Sequence, residues 1–344
     1  MTKIGVGIIG NGMATRVFHV PYIQACEALE LRAIVSRRPD AEVPGGAAVV
    51  PDVEALLADP AIGLVVVATP SASHGAIARR VLEAGRHIVV EKPFTLDLAE
   101  ARALAALAQA RGLVLSVFHN RRWDTDFLSL RGAIEEGRIG RVVHFESHFD
   151  RFRPEVRDRW REDGSAGSGV WYDLGPHLVD QALLLFGRPE AVSADIAALR
   201  TGGASPDWAH VVLRYPDKRL ILHAGMCVAG GEPRFRVHGT GGSLVKWGLD
   251  PQEAQSVAGL RPGDAEWGVD TDPLQHFAGG ATTAPTAIIT APKGCQECFY
   301  AMMAKACAGG GAPPSTLAEI LAVQEVVEAA IVSANEGRVV TLSQ

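Results

Sequence analysis

The sequence predicts an α/β + α+β chain: a doubly wound parallel sheet, then a domain built on a large open, mainly antiparallel sheet. Three observations carry this. Strand and helix patterns alternate strictly over the first 120 residues, and short alternating segments separated by turn residues replace them afterwards. The length of 344 residues is too great for one ordinary domain and suits two. The expected domains are 1–120 and 121–344.

Gly5 to Ile9 reads as the first strand, Val17 to Leu29 as a helix and Leu31 to Val35 as the second strand. Asp52 to Ala58 is a short helix. Leu64 to Ala68 is uniformly apolar, the mark of a strand buried on both faces. A helix over His74 to Ala84, the strand His87-Ile88-Val89-Val90, a helix over Leu98 to Arg111 and a strand over Leu113 to Phe118 complete the alternation. Beyond it, Arg141 to Asp150, Ala191 to Leu199, Trp208 to Tyr215, Arg219 to Val228, Arg234 to His238 and Ser243 to Trp247 read as antiparallel strands. Leu174 to Phe186 is a helix. So is Leu317 to Asn335, which opens on a capping box of Thr316 and Glu319 and stops at Gly337. Residues 250–294, rich in Gly, Pro, Ala and Thr, read as a long functional loop or arm. There is no internal repeat.

Composition excludes several classes. The chain is 47% apolar and 21% charged, which is globular, and its net charge of -6 makes nucleic acid and anionic membranes poor partners. No apolar run reaches membrane length. Met1-Thr2-Lys3-Ile4 enters a strand directly, so no signal peptide is expected and the cytoplasm is the expected location. The five cysteines are sparse and odd in number, which suits reduced thiols. Cys295 and Cys298 form a lone CxxC, which can be a redox pair or half of a zinc site, but with no second pair or His-x-His partner they read rather as ordinary helix thiols. No metal is expected. His144, Glu146, His148 and Asp150 alternate along one strand, and a wet or subunit-facing sheet side accounts for them better than an ion does.

Gly10-Asn11-Gly12-Met13-Ala14-Thr15 follows the first strand and opens a helix. The first glycine permits the tight turn and the second lets backbone approach a pyrophosphate at a helix N-terminus. That position points to a dinucleotide. Thr15 stands where a third Gly or Ala is usual. The second strand ends at Ser36-Arg37-Arg38, where NAD enzymes place a ribose-binding carboxylate. A hydroxyl and two cations there favour a 2′-phosphate, hence NADP, with NAD as the alternative.

Glu91-Lys92-Pro93 closes the strand before it. Proline ends the strand and stiffens the turn, directing the ammonium off the carboxyl end of the sheet, where ligands bind. The bland alternative is a surface Lys in a turn. Asp173-Leu174-Gly175-Pro176-His177 sets a carboxylate and an imidazole on one helix face, where the Asp can hold one ring nitrogen and free the other for proton transfer. Alternatively Asp173 is an N-cap with Pro176 in the first turn. His119-Asn120-Arg121-Arg122-Trp123-Asp124 follows the last parallel strand, and can bind a polyol or form a salt-bridge cluster.

Together these motifs resemble the glucose–fructose oxidoreductase/inositol dehydrogenase (Gfo/Idh/MocA) family over essentially the whole chain. Gly10-x-Gly12, Thr69-Pro70-Ser71-x-x-His74, Glu91-Lys92-Pro93 and Asp173-x-x-x-His177 stand in family order and spacing. Phe18-His19-Val20-Pro21, Asn120-Arg121-Arg122-Trp123-Asp124, the stretch from His148 to Pro154 and the stretch from Lys246 to Glu253 are similar to its branch of NADP-dependent scyllo-inositol dehydrogenases.

The resemblance implies a Rossmann domain, then a substrate-binding and oligomerisation domain whose exposed sheet face pairs subunits into a dimer or tetramer. It implies cofactor contacts from Gly10, Asn11, Gly12, Met13, Ala14, Ser36, Arg37, Arg38, Thr69, Pro70, His74, Glu91 and Lys92. Lys92 would sit beside nicotinamide and substrate, His177 would exchange the hydroxyl proton, and Asp173 would orient that ring. Asn120 and Arg121 fall at substrate-contacting positions, and Trp160 near the expected mouth. The activity so implied is hydride transfer between a nicotinamide and a secondary alcohol of a polyol, inositol or sugar. Two other functions suit the same fold: an NAD-dependent glycosidase or dehydratase using transient oxidation, and a non-catalytic dinucleotide-binding sensor. Such sensors tend to lose the Lys or the His, and this chain keeps both.

Overall fold

The structure, a computed structural model, describes residues 3–36, 43, 46–280 and 283–342. The chain forms two compact units: Met1–Asn120 with Gln252–Trp267 and Cys295–Gln324, and Arg121–Pro251 with Gly268–Gly294 and Glu325–Gln344.

The first unit is built on six parallel strands: β1 (Ile4–Ile9), β2 (Leu29–Val35), β3 (Ala48–Val50), β4 (Ile62–Val67), β5 (His87–Val90) and β6 (Leu115–Val117), in the order β3-β2-β1-β4-β5-β6. Helices α1 (Val20–Gln24), α2 (Val53–Leu57), α3 (His74–Glu83) and α4 (Leu98–Ala110) alternate with them. Asp52 and Asp97 cap α2 and α4, their side chains accepting from the N–H groups of Ala55 and Glu100, both at 2.8 Å. Val65, Val67, Ile88 and Val90 are fully buried in one cluster with Val81 and Leu104, and each such side chain contributes about 1.5–3 kcal/mol by leaving water.

The second unit opens with α5 (Thr125–Glu135) and holds α6 (Val170–Phe186) against a nine-stranded sheet. Its strands are β7 (Val142–His148), β8 (Ala191–Ala197), β9 (Trp208–Arg214), β10 (Arg219–Gly225), β11 (Phe235–Gly239), β12 (Gly242–Lys246), β13 (Leu274–Ala278), β14 (Ala287–Ile289) and β15 (Val340–Thr341). All paired neighbours are antiparallel except β7 and β10. α6 packs on β9 and β10. Phe145, Val211, Leu213, Leu220 and Leu222 are fully buried, and the residues alternating with them point to the other side. The remaining helices are α7 (Gln252–Val257) and α8 (Cys298–Cys307) in the first unit, and α9 (Leu317–Glu336). Among the described residues, no helix is long and apolar enough to cross a membrane.

Three expected elements take other bounds or content, and β3, α5 and β15 have no counterpart among the expectations. The first helix stops at Gln24, after a π-helical turn over Thr15–His19, because Leu29 is already paired with Ile4 in the sheet. Residues 250–294 are not a bare loop: they contain α7, β13 and β14. α6 begins at Val170, four residues before the expected Leu174.

Candidate active site

Strand order in the first sheet reverses between β1 and β4, the switch point where such sheets bind ligands. The turn Gly10–Thr15 leaves β1 there. Gly10 has φ 111°, and a Cβ on it would collide with the carbonyl oxygen of Ala68. A Cβ on Gly12 would meet nothing within 4 Å. Protein packing therefore does not require glycine at 12, and the open approach fits a pyrophosphate. Met13 is exposed and Ala14 caps the helical turn. Asn11 Oδ1 accepts from Arg16 Nε at 3.4 Å. Thr15 is fully buried, and its hydroxyl donates to the Gly10 carbonyl at 2.8 Å. The residue replacing the third glycine thus ties the loop's end to its start. Past β2, the Ser36 N–H donates to Val50 O at 3.1 Å. Arg37 and Arg38 lie outside the described residues.

His74 joins two turns. Its Nδ1 lies 2.8 Å from Pro93 O and its Nε2 2.9 Å from Thr69 O. Burial holds its pKa below the ordinary histidine range despite both carbonyls. A neutral ring has one N–H, so it donates to one of them at a time. This fixes Thr69-Pro70 beside the Lys92-Pro93 turn.

Glu91 is buried behind Lys92 and accepts the Lys92 backbone N–H at 3.1 Å. Its Oε1 lies 3.0 Å from His19 Nε2, and His19 Nδ1 lies 2.7 Å from the Tyr300 hydroxyl. Burial pushes the Tyr300 phenol well above its usual range, so it stays protonated. The arrangement that satisfies every group has Tyr300 O–H donating to Nδ1 and Nε2–H donating to Glu91. Burial alone would raise the Glu91 carboxyl. The His19 hydrogen bond, with the charge of Lys92, outweighs it and holds the carboxyl below the ordinary range. An anionic carboxylate therefore stands directly before Lys92.

Asn120 is 3% exposed, and its Nδ2 donates to Gln296 Oε1 at 2.9 Å, an oxygen that also accepts from Tyr22 O–H at 2.8 Å. Its amide group is thus held by the interior of its own unit. Gln296 lies between Cys295 and Cys298, which are joined as a disulfide. This corrects the reading of the pair as ordinary thiols. Cys26, Cys227 and Cys307 are free.

In the second unit Gly169, at φ 94°, is the N-cap of α6. Asp173 and His177 therefore lie inside the helix, one turn apart, and the reading of Asp173 as a cap is overturned. Pro176 is interior too and removes the N–H that would reach the Tyr172 carbonyl. Asp173 Oδ1 forms an ion pair with Arg161, 3.2 Å from its Nε, and that guanidinium stacks 4.4 Å from the Trp160 ring centre. Trp160 and Asp173 are thereby brought together. His177 is 5% exposed. Gln181, a turn further on, donates to the Arg121 carbonyl at 2.9 Å. Arg121 is buried, donates to Asp124 at 3.1 Å and lies over the Phe149 ring at 4.8 Å.

Sequence reasoning assigned no role to the His19–Tyr300 pair or to Arg234, which is buried and donates to Gln181 at 2.6 Å. Nor did it find buried Lys246, 3.1 Å from Asp270 and 2.9 Å from Asp272. His19 and Lys246 do fall in the segments similar to the family branch, the one signal that marked them.

Residues 4–119 match the oxidoreductase family with an NAD-binding Rossmann fold, and residues 131–342 match that family's C-terminal alpha/beta domain. The chain belongs to the Gfo/Idh/MocA oxidoreductase family. This Gfo/Idh/MocA chain is 46% identical to uncharacterized oxidoreductase YdgJ of Escherichia coli over 336 residues, 96% of each chain. It is 37% identical to scyllo-inositol 2-dehydrogenase (NADP(+)) IolW of Bacillus subtilis over 352 residues, covering 98% of this chain and 96% of that one. A crystal structure from Klebsiella pneumoniae superposes with TM-score 0.92 at 46% identity, over 100% of this chain and 96% of that chain. The Gfo/Idh/MocA chain is thus an NAD(P)-binding oxidoreductase.

Proposed function

We propose that this oxidoreductase moves hydride reversibly between a nicotinamide and a secondary alcohol of a polyol, inositol or sugar, with NADP preferred. One observation carries the reading: Lys92 at the carboxyl end of β5, with anionic Glu91 and the buried His19–Tyr300 pair behind it. The bound dinucleotide would supply the hydride acceptor or donor. Gly10, Asn11, Gly12, Met13 and Ala14 would hold its pyrophosphate, Ser36, Arg37 and Arg38 its ribose phosphate, and Thr69, Pro70, His74 and Glu91 the remaining cleft.

Oxidising an alcohol also requires losing the hydroxyl proton. We assign His177 to accept it, Asp173 to orient His177, and Lys92 to stabilise the oxygen as charge develops. Asn120, Arg121 and Trp160 are assigned to the substrate. The name of the Bacillus relative supports an inositol and NADP. Ser36-Arg37-Arg38, with no carboxylate, supports NADP independently. We place the enzyme in the cytoplasm as a homo-oligomer, with residues 1–120 holding the cofactor.

The test is a panel of polyols, inositols and sugars with NADP and NAD, read by nicotinamide absorbance. Net reduction with a polyol or inositol is expected. Cleavage or dehydration without net absorbance change would establish the glycosidase or dehydratase instead, and dinucleotide binding without turnover on any substrate would establish the sensor.

A further inference from the structure

β7 and β10 run parallel with His148 opposite His223, on the sheet side away from α6. Asp150, two residues past His148, extends the same face. His148 Nδ1 lies 3.2 Å from Asp150 Oδ2, and His223 Nε2 lies 3.6 Å from Asp150 Oδ1. One donor atom from each of the three falls within 4.8 Å of the others. Atoms bound tetrahedrally to a zinc-sized ion stand roughly 3.4 Å apart.

Three further observations point to a ligand. Asp150 is 6% exposed in its side chain, and its buried Oδ1 accepts no hydrogen bond among the described residues. Both rings have a partner at their far nitrogen: Glu146 Oε2 lies 3.3 Å from His148 Nε2, and His210 Nδ1 lies 3.4 Å from His223 Nδ1. Metal-bound histidines are held through the other nitrogen in this way. Finally, residue 225 is glycine. A Cβ there would sit 3.2 Å from Val228 Cγ2, 3.3 Å from His223 Nε2 and 3.4 Å from Asp150 Oδ1, so a side chain at 225 would crowd both donor atoms.

We propose that His148, Asp150 and His223 bind a divalent transition-metal ion of the zinc class. Two imidazoles and one carboxylate form a borderline donor set suited to zinc or cobalt. A fourth position is left for water. α6, which carries Asp173 and His177, packs on the opposite face, so the ion would brace the sheet and take no part in hydride transfer. The sequence alone favoured a wet or subunit-facing surface because it shows β7 but not the partner from β10.

The test uses the untagged full chain after chelation, titrated with ZnCl2 by calorimetry and with CoCl2 by visible absorption. One ion per chain is expected, with a cobalt d–d band displaced by zinc, and a melting temperature that rises with zinc concentration. His223→Asn and Asp150→Asn should each weaken binding by about 100-fold or more, and Glu146→Ala by about tenfold. His238→Ala, which loses a bond to Ser243 and a stack on His144 but touches no ligand, should bind as the wild type does. Equal affinity in the folded ligand variants would overturn the site. Should those variants not fold, the wild type decides, and the absence of a cobalt band would overturn it.

Discussion

At the scale of the residue, the proposed chemistry turns on Lys92, and its test is Lys92→Met. Loss of one preorganised charge contact lowers kcat by on the order of 10²-fold or more. The variant should keep its far-ultraviolet spectrum and melting behaviour. A folded variant retaining more than about a tenth of wild-type kcat would remove Lys92 from the mechanism. His177 is tested by pH. A base must be neutral to accept a proton, so wild-type alcohol oxidation should speed up as pH rises through the imidazole range. His177→Asn should lose most of its kcat and that limb of the profile together. An unchanged profile would assign the proton to another group.

Glu91 adds a stability prediction. Its folded-state pKa lies below the unfolded value, so its contribution is fully present above the unfolded pKa and is lost as pH falls through the folded one. The stability gap between wild type and Glu91→Gln, read by urea unfolding, should therefore close on acidification. A gap that widens toward acid would contradict the charge assignment.

Among the elements, legibility followed locality. β4 and the Ile88-Val89-Val90 part of β5 could be read because strands buried on both faces are uniformly apolar. The glycine loop, Glu91-Lys92-Pro93 and Asp173-x-x-x-His177 could be read because each motif is confined to one turn or helix face. The His19–Tyr300 contact could not, since its residues are 281 positions apart. β13 and β14 were hidden by Gly, Ala and Thr, and they form short strands at one end of the sheet. Asp270 pairs with Lys246 and Thr125, contacts with no signature in a loop-like composition. The start of α6 is hard to read because Asp173 resembles a cap, whereas the residue before the helix is Gly169, at φ 94° and with no side chain to mark it.

The end of β2 carries the cofactor prediction. A charge-assisted hydrogen bond contributes about 1.5–3 kcal/mol, so one contact to a 2′-phosphate predicts NADP preferred by roughly tenfold or more in kcat/KM. Ser36→Asp with Arg37→Ala should invert that preference, since the carboxylate would hold the NAD ribose and repel the phosphate. Both cofactors are measured at fixed salt in wild type and variant. A wild type indifferent to the phosphate would reject the argument.

For the whole molecule, the question is what covers the outer side of the second sheet. On the inner side α6 packs on β9 and β10. On the outer side Val212 pairs directly with Ile221, and both are only partly buried. Trp208 stacks on His210 with ring centres 6.0 Å apart. Apolar side chains amid histidines on a broad sheet suit a second copy of the chain better than bulk water, which supports the proposed homo-oligomer. Light scattering should then give a multiple of 36.4 kDa. Val212→Asp with Ile221→Asp would set two like charges opposite each other across β9 and β10 and bury them unpaired on association. Each unpaired buried charge costs several kcal/mol, so the variant should elute at the mass of one chain with its circular dichroism intact. Neither substitution removes a proposed metal ligand, so zinc binding by the folded variant should persist and separate the two proposals. A single-chain mass for the wild type at working concentration, or an unaltered oligomer in the variant, would show that this face does not pair subunits.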